Sequence, residues 1–258
     1  MKSLLVVDIG NTTTRFGLWR GQFVGEVSVF PTSSAGEVGV VGAQLEAAMA
    51  AGGAALEEVE VGMCSAVHRA EEPWREWCAE HGRPLFVVRG DTPTPLVNRY
   101  RQPQRLGGDR LAAAVGAVKR AGAPVVVASL GTAAVVDAVS AEGEYLGGAI
   151  AAGLQTGLTA LATATEGLPR VDAREAPSAL GGDTEECLWA GAAHGMAALV
   201  EGLAERMREV VGAKAPLVLT GGDAELVSRH LRGDHKVIST LTLEGVAAVW
   251  EHNRGKDG

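Results

Sequence analysis

The chain opens with an apolar run, Leu4-Leu5-Val6-Val7, that stops at Asp8 and passes directly into Ile9-Gly10-Asn11-Thr12-Thr13. A comparable run, Val125-Val126-Val127-Ala128, stops at Ser129 and passes into Leu130-Gly131-Thr132. The two copies lie about 120 residues apart, the signature of an internal duplication. Each copy reads as a buried strand, a tight turn and a second strand: Leu4 to Asp8, Thr14 to Trp19 and Gln22 to Phe30 in the first, Pro124 to Ala128, Thr132 to Val139 and Glu144 to Ile150 in the second. After each meander, helix and strand alternate, which favours parallel βαβ units. In the first half the expected elements are a helix from Ser34 to Ala51, a strand from Val59 to Met63, a helix from Glu71 to Glu80 and a strand from Leu85 to Val88. Asp109, a favoured helix N-cap, precedes an alanine-rich helix. In the second half helices are expected near Gly153 to Thr165, Thr184 to Val211, Ala224 to Leu231 and Leu243 to Asn253, with strands near Leu217 to Thr220 and Lys236 to Ile238. The expectation is an α/β molecule of two duplicated lobes, 1–118 and 119–258, with a cleft.

Composition excludes several alternatives. With 258 residues, 47% of them hydrophobic, the chain can bury a large core or two modest ones. A formal charge of -8 argues against a nucleic-acid surface or an acidic membrane surface. Cys64, Cys78 and Cys187 are odd in number and widely spaced, which suggests neither a disulfide framework nor a CxxC metal site and fits a reducing, cytoplasmic setting. Asp8 ends the N-terminal apolar run short of a signal segment or a membrane span. The six histidines show no HExxH-like spacing.

A glycine placed directly after a strand lets backbone approach phosphate oxygens, and the N–H groups of a tight turn form an anion-binding concavity. Gly10 to Thr13 have that character, as do Gly131 and Thr132. Asp8 cannot welcome a phosphate but can hold Mg²⁺, directly or through water. The same residues also suit a solvated turn. Leu219-Thr220-Gly221-Gly222-Asp223 runs from a strand through a double glycine into a helix, a geometry that lets a base or ribose lie against backbone and that equally serves an ordinary strand-to-helix turn. Phosphoryl transfer needs positioned phosphates, a metal and a group to accept the acceptor's proton. Asp109, after Gly107 and Gly108 and beside the carboxylate-binding type of side chain in Arg110, is the leading candidate for that group, with helix capping as its other role.

Taken together these residues resemble the type III pantothenate kinases of the acetate and sugar kinase, heat-shock protein 70 and actin superfamily. The resemblance rests on Asp8-Ile9-Gly10-Asn11-Thr12, Tyr100-Arg101-Gln102-Pro103 with Gly107-Gly108-Asp109-Arg110, Gly131-Thr132-Ala133 with Asp137, Tyr145 to Ile150, Leu168-Pro169, Gly182-Asp183-Thr184, Thr220-Gly221-Gly222 and Leu241 to Gly245. It implies an actin-like fold of two ribonuclease-H-like lobes and transfer of the ATP γ-phosphate to the primary hydroxyl of pantothenate, the first step of coenzyme A synthesis. By the same resemblance Asp109 matches the catalytic base. Asp8, Ile9, Gly10, Asn11, Thr12, Thr13, Thr14, Arg15 and Thr132 match the ATP-phosphate loops, while Tyr100, Gly107, Gly108, Asp109 and Arg110 match the pantothenate site. Thr184 matches a threonine contributed across a homodimer with a shared active site.

Three departures accompany the resemblance. Ser129 stands where the family carries an aspartate that ligates a monovalent cation, so K⁺ or NH₄⁺ binding is expected to weaken. Gly181-Gly182-Asp183-Thr184 replaces Gly-Lys-Asn-Thr, and Ala152-Gly153 replaces Pro-Gly. The sequence leaves two other readings open: a catalytically silent binding or regulatory homologue, and a kinase acting on another small acceptor.

Overall fold

The computed structural model describes residues 3–36, 38–55 and 58–254. The chain divides into two compact units, one holding the residues up to Lys119 together with those from Thr240 on, the other Arg120 to Ser239.

In the first unit, β1 (Ser3–Ile9), β2 (Thr13–Trp19) and β3 (Phe23–Pro31) form an antiparallel meander. Helix α1 (Val38–Ala51) leads to β4 (Val59–Ser65), which pairs parallel to β1, and α2 (Glu72–Glu80) leads to β5 (Leu85–Val88), parallel to β4. The sheet order is β3-β2-β1-β4-β5. Successive side chains of a strand point to opposite faces. Leu5, Val7 and Ile9 accordingly join Phe16, Val41, Leu45, Trp74 and Trp77 in the core under α1 and α2. On the other face Leu4 and Gly62 meet Val246 of α7 (Leu241–Arg254). A short strand β6 (Val97–Asn98) lies in the segment between β5 and α3 (Gly108–Ala121).

The second unit repeats the plan. An antiparallel meander of β7 (Val125–Leu130), β8 (Ala133–Val139) and β9 (Glu144–Ala152) is followed by α4 (Leu154–Ala164) and α5 (Thr184–Val211). β10 (Leu217–Thr220) then pairs parallel to β7, and after α6 (Ala224–Ser228), β11 (His235–Val237) pairs parallel to β10. The unit's own strands therefore run β9-β8-β7-β10-β11, the order of the first sheet strand for strand. The duplication read from the sequence is thus a duplication of topology. Helix α5 is long and apolar enough in composition to cross a membrane, but Met196, Ala197, Val200 and Ala204 pack it into the core with β7, β8 and β10.

Several local expectations are corrected. The sequence pattern puts residues 240–258 in the second lobe, yet α7 belongs to the first unit, because Gly245 lets it approach the Ala112 carbonyl of α3 where a Cβ would collide. Helix α1 starts at Val38 after a 3-10 turn over Thr32–Gly36, rather than at Ser34. Helix α6 ends at Ser228, short of Leu231. Helix α3 starts at Gly108, and the Leu111 N–H donates to the Gly107 carbonyl at 3.2 Å, so Gly107 holds the N-cap position and Asp109 lies inside the first turn.

One buried charge fixes how β5 ends. Glu71 is 2% exposed, and its carboxylate accepts hydrogen bonds from both terminal nitrogens of Arg89, at 2.6 and 2.5 Å, and from Arg75 at 2.9 Å. His68 Nδ1 lies 3.1 Å from the same carboxylate. Burial opposes ionisation, but the hydrogen bonds from Arg89, His68 and Arg75 outweigh it and hold the Glu71 pKa at about 2, below its ordinary 4.5. A folded-state pKa below the unfolded value gives stability that is fully present above about pH 4.5 and lost as pH falls toward 2. Glu71→Gln should lower unfolding free energy by about 2 to 3 kcal/mol at pH 7. In urea titrations its gap from the parent should narrow steadily below pH 4.5.

Candidate active site

Asp8 lies one residue from the end of β1, with Arg15 opposite it on β2 and Cys64 beside it on β4. The Cys64 thiol donates to Asp8 Oδ1 at 3.5 Å. The turn after β1 is braced from within: Gly10 N–H donates to the Thr13 carbonyl at 3.0 Å, and Thr32 N–H to the Thr12 carbonyl at 2.9 Å. Thr32 Oγ1 donates to the Gly10 carbonyl at 2.7 Å and lies 3.0 Å from Thr14 Oγ1. This bracing leaves Asn11, Thr12 and Thr13 exposed at the tip while Ile9 and Thr14 are buried at its base. Ile9 and Thr14 therefore support the loop rather than line its surface.

Asp109 belongs to the same unit and lies within electrostatic reach of Asp8. A Cβ on Gly108 would collide with the Val88 carbonyl oxygen, so only glycine lets the start of α3 press against the end of β5. The Asp109 carboxylate folds back over Gly107. Burial, and next the negative charge of Asp109, raise the Asp8 pKa to about 6, against smaller lowering effects from Arg15 and the Cys64 thiol. The Cys64 thiol is itself pushed well up by burial and then by Asp8 and Asp109. Arg110 is 9% exposed, with its guanidinium 5.6 Å from the centroid of the Tyr100 ring. The first unit thus brings Asp8, Arg15, Asp109, Arg110 and Tyr100 into one region, together with Cys64, which the sequence alone places only in redox terms. Its signal is the register of β4 against β1, invisible until the sheet order is known.

The second unit holds the other candidates. Gly131 N–H donates to the Ala133 carbonyl at 3.0 Å, a turn one residue tighter than its counterpart at Gly10. Gly153 N–H and Thr156 Oγ1 both donate to the Thr132 carbonyl, at 3.1 and 2.7 Å. Thr220 pairs in register with Ser129, and Gly221 follows with φ 99°, where a Cβ would strike the Leu130 carbonyl. Asp223 N–H donates to that same carbonyl at 3.1 Å, which draws Gly221 and Gly222 against the end of β7. The Thr220 hydroxyl, in a residue 1% exposed, has no hydrogen-bond partner among the described residues. Burial pushes the Asp223 carboxyl up.

Thr184 is the first residue of α5, whose N-cap Asp183 accepts from Glu186 N–H at 2.8 Å while Glu186 accepts from Gly182 N–H at 2.7 Å. These two hydrogen bonds hold the start of α5 and with it Thr184 at the rim of an open concavity of about 440 Å³ lined also by Leu168, Gly181, Asp183 and Leu188. Among the described residues no group of three or more His, Cys, Asp or Glu side chains forms a metal cage.

The repeated five-strand topology, each copy opening in a strand, turn and strand, defines an actin-like protein. Solved structures agree on the fold: a Campylobacter jejuni protein described as a Baf family transcriptional activator superposes with TM-score 0.63 at 18% identity, covering 97% of this chain and 99% of that one. Component A of the Acidaminococcus fermentans (R)-2-hydroxyglutaryl-CoA dehydratase gives 0.59 at 16% identity, over 99% and 100% of the two chains. Within that class the chain belongs to the type III pantothenate kinase family, whose model matches residues 4–206. Type III pantothenate kinases of Moorella thermoacetica and of Roseiflexus sp. (strain RS-1) are 33% and 35% identical to it, each over 97% of this chain and 99% of the relative. That of Syntrophotalea carbinolica is 34% identical over 98% of this chain and all of the relative.

The raised pKa of Asp8 carries a sign that can be measured. Protonated Asp8 escapes the cost of a buried charge, so the penalty is absent below the ordinary carboxyl value of 3.8 and complete above about 6. With a chelator present, Asp8→Asn should therefore be about 1 to 3 kcal/mol more stable than the parent at pH 7. The advantage should vanish as pH falls below 3.8, as read by thermal or urea unfolding.

Proposed function

We propose that this chain is an ATP-dependent kinase that phosphorylates the primary hydroxyl of pantothenate, giving 4'-phosphopantothenate for coenzyme A synthesis. The observation that carries the reading is the pairing of Asp8 with Asp109 in one region of the first unit, where the negative charge of Asp109 raises the cost of ionising Asp8. Two such carboxylates suit a cation and a proton acceptor side by side.

Asp109 acts as general base. Its carboxylate takes the proton from the pantothenate hydroxyl as that oxygen bonds to the γ-phosphorus, while the bond from phosphorus to the ADP oxygen breaks. Asp8 offers hard oxygen ligands of the kind Mg²⁺ prefers, and Arg15 across the strand pair limits the local negative charge. When bound, Mg²⁺ neutralises charge on the phosphates. Gly10 to Thr13 and Gly131-Thr132 hold phosphate groups through turn backbone, and Gly221-Gly222 lie against the nucleoside. Tyr100 and Gly107 to Arg110 form the acceptor site, with Arg110 recognising the pantothenate carboxylate.

The same reading makes the protein a cytoplasmic homodimer in which Thr184 serves the partner's acceptor site. Supporting it are the rim position of Thr184 and the apolar surface nearby, where Leu180 is 87% exposed. Ser129 supplies a hydroxyl without charge, next in register to the unpartnered Thr220 hydroxyl, so a monovalent cation binds weakly there.

Incubation with MgATP and pantothenate should yield phosphopantothenate by mass spectrometry; absence of product under every salt condition would overturn the kinase reading in favour of a silent binding homologue. Asp109→Ala should lower kcat by about 10² to 10⁴, and an unchanged rate would reduce Asp109 to a structural residue of α3. Turnover in K⁺, NH₄⁺ and Na⁺ should be similar, with Ser129→Asp creating a K⁺ requirement; a strong K⁺ dependence in the parent would contradict the role assigned to Ser129.

A further inference from the structure

The segment from Arg89 to Gly107 contains little regular structure, yet its course is closely determined. Arg89 is tied to the buried Glu71 by its side chain, and its own N–H donates to Thr92 Oγ1 at 2.7 Å. A Cβ on Gly90 would collide with the carbonyl oxygens of Pro103 and Leu106, so the start of the segment lies directly against its end. Leu96 and Leu106 are buried beneath it.

Asn98 joins the two halves of this loop. Its side-chain Nδ2 donates to the Gly90 carbonyl at 2.7 Å, and its Oδ1 accepts from the Tyr100 N–H at 2.9 Å. One half-buried amide thus fixes the backbone of Tyr100 to the point where β5 ends, which is the point held by Glu71 and Arg89. The Tyr100 ring lies against Arg110, the residue after Asp109. The side-chain amide supplies both the donor and the acceptor that this span needs without a charge, whereas a carboxylate would face the Gly90 carbonyl with a second acceptor.

We infer that Asn98 is a positioning residue for the acceptor substrate: it sets Tyr100, and through the Tyr100–Arg110 contact the recognition of the substrate carboxylate, without touching the substrate itself. The inference rests on the assignment of Tyr100 and Arg110 to the acceptor site. It predicts a selective effect, because the phosphate-binding turn at Gly10 and the seating of Gly108 on Val88 do not depend on this amide.

Steady-state kinetics on the 258-residue chain test it. Asn98→Ala removes both hydrogen bonds and should raise KM for pantothenate about tenfold, with kcat and KM for ATP changing less than about threefold. An unchanged pantothenate KM in Asn98→Ala, or a parallel shift of all three parameters, overturns the inference. If Asn98→Ala does not fold, Asn98→Gln decides the matter, since it keeps both groups but displaces them by one methylene: the same selective rise in KM supports the inference and an unchanged KM overturns it. Tyr100→Ala separates this from the reading beneath it. No change in pantothenate KM there removes Tyr100 from the acceptor site, whereas a rise there with none in the Asn98 variants refutes the role of Asn98 alone.

Discussion

The contact between Gly108 and the Val88 carbonyl decides where the chemistry of the first unit can sit. With no Cβ in the way, the first turn of α3 presses directly on the end of β5, two strands from β1 in the sheet. That brings Asp109 within electrostatic reach of Asp8, a carboxylate that would otherwise have only Arg15 and a thiol for company. Any larger residue at position 108 would push the helix outward and carry Asp109 and Arg110 with it. Burial and repulsion together then keep Asp8 reluctant to ionise, a local cost that the surrounding packing of Val7, Ile9, Phe16 and Met63 over-determines.

The duplication supplies two frames of one topology, and their differences divide the labour. In the first frame the end of β1 and the end of β4 place Asp8 beside Cys64; in the second the matching positions of β7 and β10 are Ser129 beside Thr220. At these matched positions one frame is therefore anionic and the other carries hydroxyls. The turns differ as well, since the Gly10 N–H reaches Thr13 whereas the Gly131 N–H reaches Ala133. A tighter, uncharged turn suits close approach by an anion, while the wider turn next to Asp8 needs a cation to do the same. These inequalities arise from a few side chains and one turn, not from any difference in sheet order.

Much of this was legible in the sequence, because alternation and turn residues report on a strand's immediate surroundings. The two meanders, the βαβ alternation and the full extent of α5 came from such local signals, and the duplicated turns pointed at Asp8 and Ser129. What escaped depends on partners far along the chain. Asp109 reads as an N-cap until the Leu111 N–H is seen to reach Gly107. Helix α7 comes after the second meander in sequence, so nothing local assigns it to the first unit, where Gly245 seats it on Ala112. Glu71 is an ordinary acid in a helix-forming stretch, and its partner Arg89 is separated from it by the whole of α2 and β5. Asn98 carries no motif, and its role exists only once Gly90 and Tyr100 are brought to either side of it.

The Asp8–Asp109 pair also bears on whether the protein is a kinase or a silent relative. A site that merely held nucleotide would be better served by Asp8 alone, since a second carboxylate raises the cost of ionising the first and weakens the folded state without a ligand. Under the proposed function, a cation held by Asp8 would reverse that balance. A positive charge there favours the ionised form of Asp8, and under that function it leaves the Asp109 carboxylate to take the proton of the acceptor hydroxyl. On that reading the repulsion between the two carboxylates becomes a coupling between a cation at Asp8 and the charge on Asp109. Under the proposed function that coupling would serve turnover, since the donor's cation and the acceptor of the hydroxyl proton would then stand at two carboxylates that sense one another's charge.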